Sequence, residues 1–300
     1  MPPTAPPPPR FTLHISMIEP SHYLAVAQAA EGAGFHNIGM GDSICYPRES
    51  TSKYPYTADG KREFLENKPF LEPFTIIPAM AAVTSRIGYD IGVLKMPLRN
   101  PLTLAKQVAS IAVVTNNRFK LGVGTSPWPD DYEICGVPYE RRGKRMEEMI
   151  EVVRGLCTGD YFEFHGELID FRSIKLIPAP DRPVPILIGG HSAINIRRAA
   201  RLADGWIPST NARDELSGMI ATLRGHLEEF GRAAVPFEIH ASLPQDATPD
   251  DVERLRELGC TDFRVRLTPA YTLDRDKEPV DKKVEFINRF ADRVVHAVPA

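Results

Sequence analysis

The sequence lacks a strong charge of either sign, since its 300 residues carry a formal net charge of −3. Such a balance excludes the basic surface of a nucleic-acid-binding protein. Cysteine is scarce, with four residues at positions 45, 135, 157 and 260 and no CxxC spacing. These cysteines are too few for a disulfide framework. The eight histidines show neither HExxH nor HxxxH spacing, so we expect no metal site.

Long hydrophobic runs are also missing, and no apolar stretch approaches the roughly 18 residues of a membrane span. The first ten residues, MPPTAPPPPR, have neither the charged nor the apolar region of a signal peptide. We interpret residues 1–10 as a disordered proline-rich lead and residues 11–300 as one domain. Together these features predict a cytoplasmic protein without a membrane partner.

A short apolar strand followed by an amphipathic helix recurs eight times along the chain. The predicted strands cover residues 11–16, 36–41, 86–94, 118–124, 185–190, 205–209, 237–243 and 262–267. Eight such units in one chain of this length predict an α/β fold, a single (β/α)8 barrel. A doubly wound open sheet is the alternative, but it needs a glycine-rich turn after the first strand, and HISMIEPSHY has none.

Two segments interrupt this regular alternation. Residues 42–69 form a long polar loop after the second strand, at the strand end where barrels place their active sites. Residues 159–178 alternate as in a β-hairpin and precede the fifth strand, which indicates a structural insertion.

Residues just beyond the predicted strands should converge on one mouth of the barrel. They are rich in hydroxyl groups, and Asp42 is their only carboxylate. This composition disfavours a hydrolase, which needs a base with a nucleophile or a pair of carboxylates. It suits a site that holds a reactive cofactor. The residues are Ser16, Met17, Asp42, Ser43, Leu94, Lys95, Met96, Thr125, Ser126, His191, Ser192, Ser209, Thr210, Ser242 and Leu267.

The segment PILIGGHSAINIRRAARLADGWIPS joins a buried strand to a helix through two glycines and a serine. Glycines turn chains and Ser192 is a good N-cap, which gives a purely structural interpretation. Paired glycines also let a ligand approach the backbone, and a helix N-terminus attracts an anion. The segment alone leaves both interpretations open.

Three segments resemble the bacterial-luciferase-like superfamily of flavin- and coenzyme F420-dependent oxidoreductases. They are AEGAGFHNIGMGD, the block from TSRIGYDIGVL to EEMIEVVRGL, and PVPILIGGHSAINIRRAARLADGWIP. The resemblance implies a (β/α)8 barrel, a homodimer, and hydride transfer between coenzyme F420 and a small organic substrate. A monooxygenase that uses reduced FMN is the alternative, and a non-catalytic cofactor-binding barrel is a third.

The resemblance also implies roles for particular residues. The cofactor ring should lie over the end of the third strand, where Gly92 and Val93 match a non-proline cis peptide of the family. Asp42 matches the acid beside the ring and is, with Ser43, the catalytic candidate. Ser43 stands where many members have histidine.

The rest of the cofactor should contact two further segments. The turn after the fourth strand, with Thr125 and Ser126, matches the contact to the cofactor chain. The phosphate loop matches Gly189, Gly190, His191 and Ser192.

Other positions concern the substrate. Tyr46 and Trp128 are expected to line its pocket, although Trp128 could instead pin the loop. Pro127 replaces a glutamate of the sugar-phosphate dehydrogenases in the family, which disfavours glucose-6-phosphate chemistry. Arg266 could face inward and meet a phosphate or a carboxylate, or form an ordinary ion pair. His240, a lone histidine within a strand, is interpreted as structural.

Overall fold

A computed structural model describes residues 7–50, 52–54, 59–209, 213–269 and 271–299. Residues 1–6 of the proline-rich lead and Thr210 of the expected mouth lie outside the described residues. Among the described residues, no helix combines the length and the apolarity needed to cross a lipid bilayer.

Eight parallel strands close into a barrel in the order β1-β2-β3-β4-β7-β8-β9-β10 and back to β1. This confirms the predicted (β/α)8 barrel, and every predicted strand is present. The predicted hairpin is also present as the antiparallel pair β5 and β6. The strands are β1 (Arg10–His14), β2 (Asn37–Met40), β3 (Gly88–Lys95), β4 (Phe119–Gly124), β5 (Phe162–His165), β6 (Asp170–Ile174), β7 (Ile186–Gly189), β8 (Gly205–Ile207), β9 (Glu238–Leu243) and β10 (Asp262–Arg266).

The helices surround the barrel, and several of them begin at a residue whose side chain caps the helix. Asn100 accepts hydrogen bonds from the backbone of Leu102 and Thr103, and Thr248 forms a capping box with Asp251. The helices are α1 (Tyr23–Gly32), α2 (Pro73–Ala81), α3 (Pro101–Val114), α4 (Pro129–Ile134), α5 (Arg142–Leu156), α6 (Ala193–Leu202), α7 (Arg213–Glu229), α8 (Pro249–Leu258) and α9 (Val280–Phe290).

Apolar residues on the outward faces of the strands form the core between the barrel and its helices. Leu13, Ile38, Ile91, Leu121 and Ile188 are fully buried there. Because side chains alternate along a strand, the residues between them point into the barrel. The inward positions are where this barrel departs from the usual pattern.

The barrel interior holds an ion pair instead of the branched apolar layers that fill most such barrels. The Arg264 guanidinium donates to Asp90 at 2.7 Å, and both side chains are almost completely buried. The guanidinium occupies space that side chains on β2 and β3 would otherwise fill. A Cβ at Gly39 or at Gly92 would lie 2.3 or 2.6 Å from its Nη2. These two glycines therefore make room for the arginine.

A second group of charges lies at the amino-terminal end of the strands. Arg10 pairs with Asp262 at 2.7 Å, and Lys120 pairs with Glu238 at 2.7 Å. His240 contacts Glu238 at 3.2 Å, in keeping with its structural interpretation. Ligand atoms of Glu238, His240 and Asp262 lie within 4.8 Å of one another. Since the two cations already neutralise both carboxylates, we interpret this cluster as a network of ion pairs.

We predict that Arg264→Met destabilises the protein strongly, because it leaves the buried carboxylate of Asp90 without its counter-charge. Loss of one partner of a buried pair costs about 3–5 kcal/mol of unfolding free energy. Urea denaturation measures this loss. Arg289→Met, which removes an exposed arginine of α9, is the control and should change the unfolding free energy little. Equal stability of the two variants would contradict a structural role for the pair.

Candidate active site

Asp42 lies at the end of β2 and ties this strand to the end of β3. Its carboxylate accepts from the Lys95 backbone at 3.0 Å and from the Arg99 guanidinium at 2.9 Å. The Asp42 side chain is only 2% exposed. Arg99 also pairs with Glu72, at the start of α2, at 3.1 Å. These contacts hold the Asp42 carboxylate in place, and its catalytic role stays a prediction. Ser43 follows it at a partly exposed position.

The end of β3 forms the floor of the mouth. Gly92 and Val93 are partly exposed within a strand that is otherwise largely buried, and the peptide bond between them is cis, as the resemblance predicts. The Val93 side chain lies against two glycine strand ends. A Cβ at Gly124 or at Gly189 would lie 2.8 or 2.5 Å from it. The floor is therefore lined largely by backbone.

A second carboxylate, Asp131, reaches the mouth from α4, whereas the sequence predicts Asp42 alone. It accepts from Lys95 Nζ at 2.6 Å and from Ser126 Oγ at 3.1 Å. Its side chain is 1% exposed, and Oδ1 is buried without a hydrogen-bond partner among the described residues. In the sequence, Pro129 could have indicated the start of this short helix, because proline is favoured at the first helical position. The carbonyl of Thr125 accepts from the hydroxyl of Tyr132 on the same helix.

The loop after β7 has the geometry of a helix cap. Gly190 has a φ of +112°, and Ser192 accepts a hydrogen bond from the Asn195 backbone. This confirms Ser192 as the N-cap of α6. Trp206 Nε1 donates to the Gly190 carbonyl at 2.7 Å, which fixes the loop, and His191 contacts a neighbouring serine, Ser209, at 2.5 Å. The exposed first turn of α6 presents its backbone N–H groups to solvent.

Aromatic residues cover one side of the mouth and hold the long loop in place. Tyr54 stacks on Trp128 with ring centroids 5.0 Å apart, and Phe64 and Tyr271 meet edge to face. Arg62 lies 4.1 Å over the Trp128 ring and pairs with Asp130 at 2.8 Å. Trp128 is 3% exposed, so its contacts pin the loop.

Tyr46, the other residue expected in the substrate pocket, lies near this cover. Its ring centroid is 5.9 Å from the Arg62 guanidinium, and the side chain is partly exposed. Burial raises the pKa of its hydroxyl, so Tyr46 stays protonated and can donate a hydrogen bond. Whether it contacts a substrate stays a prediction.

His14 is the functional candidate that the sequence did not indicate. Its Nε2 lies within hydrogen-bond distance of Ser16 Oγ, at 3.0 Å, and Ser16 Oγ also accepts from the Gly41 backbone. Burial lowers the pKa of His14 well below its usual value, and the positive charges of Arg266 and Arg264 lower it further. The alternation of polar residues along β1 could have revealed this inward face.

Comparison with known proteins identifies the family. The model of the luciferase-like monooxygenase family matches residues 6–293. The chain belongs to this family. An uncharacterized protein of Mycobacterium tuberculosis is 48% identical over 289 residues, which cover 96% of this chain and all of that protein.

Solved structures of luciferase-like proteins share this fold. An F420-dependent secondary alcohol dehydrogenase superposes with a TM-score of 0.77 at 14% identity and covers 98% of this chain and all of its own. A monooxygenase from Streptomyces bottropensis reaches a TM-score of 0.76 at 17% identity, over 96% of this chain and 99% of its own. At this identity the likeness shows the barrel alone, and the family includes both F420-dependent and flavin-dependent enzymes.

We predict that His14 makes the stability of this luciferase-like protein depend on pH. Because its pKa is lowered in the folded state, the unfolded chain binds more protons below about pH 6.5 and gains stability relative to the fold. The unfolding free energy of the wild type should therefore fall faster from pH 6.5 to 5 than that of His14→Gln. The difference between the two slopes should approach roughly 1.4 kcal/mol per pH unit, the value for one additional proton bound by the unfolded chain.

Denaturation at several pH values measures this difference. His296→Gln removes an exposed histidine and should follow the wild type. Parallel profiles of the wild type and His14→Gln would show that His14 is not a buried neutral group.

Proposed function

We propose that this protein is an oxidoreductase that transfers a hydride between coenzyme F420 and a small organic substrate. The observation that carries the proposal is the backbone-lined floor of the mouth. Gly92, Gly124 and Gly189 place no side chains of their own there, and Val93 packs between two of them. Such a floor suits the close approach of a planar ring.

The polar groups around the floor also fit a deazaflavin. Asp131 accepts from Lys95 Nζ and Ser126 Oγ and so holds Ser126 at the mouth. The exposed N-terminus of α6, capped by Ser192, suits a phosphate, because its N–H groups and the helix dipole favour an anion. Under this proposal Gly189, Gly190, His191 and Ser192 form the phosphate loop, and Thr125 and Ser126 contact the cofactor chain.

The chain's own residues would bind, orient and exclude water. When bound, the deazaflavin accepts or donates the hydride. Asp42 holds the ends of β2 and β3 in register through Lys95 and Arg99. Asp42 and Asp131 each pair with a cation. We therefore expect the positioning of the substrate against the cofactor to supply most of the rate enhancement.

A monooxygenase that uses reduced FMN is the second candidate, and the aromatic cover favours it. Tyr54, Phe64, Trp128 and Tyr271 pack over the mouth and would limit the entry of water. Reactions of reduced flavin with oxygen depend on such exclusion, because water destroys reactive intermediates.

A homodimer in the cytoplasm is part of the same proposal. α3 exposes Leu102, Val113 and Val114, at 39%, 40% and 62% of their surface. Apolar groups along one helix support a contact with a second copy.

Cofactor titration followed by turnover under nitrogen tests the proposal. We expect the apoprotein to bind coenzyme F420 more tightly than FMN, as measured by cofactor fluorescence. Reduced cofactor should then be oxidised without oxygen, one molecule per substrate reduced, or the reverse. Strict dependence on oxygen, with an oxygen atom in the product, would establish the monooxygenase instead. Binding of neither cofactor would contradict both.

We further predict that Ser192→Asp weakens cofactor binding at least about a hundredfold, because the new carboxylate would face the phosphate. The fold should persist, since aspartate is also a good N-cap. Ser192→Asn is the matched control, with the same size and capping ability but no charge. Fluorescence titration compares the three proteins. Equal cofactor affinity in Ser192→Asp and Ser192→Asn would contradict the assignment of the cofactor phosphate to this loop.

A further inference from the structure

Arg266 lies at the end of β10 and faces the mouth. Two residues earlier on this strand, Arg264 points into the barrel and contacts Gly39 and Gly92 on the far strands. Side chains two apart on a strand share a face, so Arg266 points the same way, one layer nearer the mouth. It pairs in register with His14 on β1, whose pKa its charge lowers.

Among the described residues, the Arg266 guanidinium has no counter-charge. Its side chain makes no hydrogen bond or ion pair within the described parts of the chain, and only its carbonyl is engaged, by Gln245. The residues outside the description include no Asp or Glu. Other cations around the mouth are neutralised, since Lys95, Arg99 and Arg62 each pair with a carboxylate.

The Arg266 side chain is exposed and can be reached by a ligand at the mouth. Its side chain is reached by solvent, yet burial by neighbouring protein lowers its pKa. Tyr54 and Tyr271 lie close enough to influence its charge. Tyr271 also borders a recess of about 430 Å³, which Arg266 does not line and whose other described lining residues are Asp59, Lys61, Glu63, Phe64 and Leu273. A guanidinium without a partner at the mouth can form charge-assisted hydrogen bonds with an anion.

This cation lies away from the proposed phosphate loop. Arg266 ends β10, whereas Gly189 ends β7, and β8 and β9 separate the two strands. In an eight-stranded barrel this separation puts them on different sides of the mouth. One small anion therefore does not occupy both places, and Arg266 is available to a different anionic group.

We propose that Arg266 binds the anionic group of the substrate, a carboxylate or a phosphate, and so selects small organic anions. The apolar part of such a substrate would lie against Tyr271 and Phe64. The inference rests on the proposed function in one respect, namely that the substrate shares this mouth with the cofactor. It goes further by naming the class of substrate and the residue that recognises it.

Calorimetric titration of the apoprotein with benzoate and with inorganic phosphate tests the proposal. At least one of these anions should bind the wild type and bind Arg266→Met at least about tenfold more weakly, the usual effect of losing a hydrogen bond to a charged group. Arg266→Lys should retain part of the affinity. Benzyl alcohol, a neutral relative of benzoate, should not distinguish the proteins. Arg289→Met makes the same change in net charge on the outer helix α9 and should bind the anions as the wild type does.

Three outcomes would overturn the proposal. The first is that neither anion binds, or that Arg266→Met binds both anions as well as the wild type does. The second is a tenfold loss of F420 or FMN affinity in Arg266→Met, which would assign the guanidinium to the cofactor. The third is a lower melting temperature of Arg266→Met, which would assign Arg266 a structural role. Failure of the wild type to bind F420 would contradict only the proposed function, because the anion titrations use no cofactor.

Discussion

The buried ion pair between Arg264 and Asp90 is the constraint on which the rest of this barrel depends. A guanidinium inside a barrel needs both a counter-charge and space, because an unpaired buried charge is strongly unfavourable. Asp90 supplies the charge at 2.7 Å, and Gly39 and Gly92 supply the space. The pair therefore requires arginine on β10, aspartate and glycine on β3, and glycine on β2. It also places a positive charge beneath the mouth, where it helps to keep His14 neutral.

The same arrangement explains why the floor of the mouth is made of backbone. Gly92 lacks a side chain above the arginine, and Gly124 and Gly189 leave room for Val93. A surface of this kind offers a ligand peptide groups and few side chains. Under the proposed function the specific chemistry comes from the rim, where Asp42, Asp131 and the start of α6 are held by hydrogen bonds. Such residues are positioned before any ligand arrives, which is the condition for catalysis by orientation.

The barrel could be predicted from the sequence because its outward apolar positions follow the strand period and its helices carry caps. Helix α2 has Pro78 inside it, which weakens the helical pattern of its segment. Asp131 was missed for a different reason. Its role depends on a turn that returns the chain to Lys95, and no local pattern encodes that contact. The contacts of Trp128 with Tyr54 and Arg62 could not be predicted, because both neighbours come from a loop whose path the sequence does not define.

A polar barrel interior costs desolvation that an apolar interior would avoid, so its presence needs a physical reason. The reason lies in the glycines of the floor. Once Gly39 and Gly92 have no side chains, the volume beneath them must be filled from across the barrel, because voids in a packed core are unfavourable. A branched apolar residue at position 264 is shorter than an arginine, whose Nη2 reaches both glycines. The charge that comes with this length requires Asp90. The ion pair and the two glycines therefore require each other, and under the proposed function the same glycines leave room for a flat ligand.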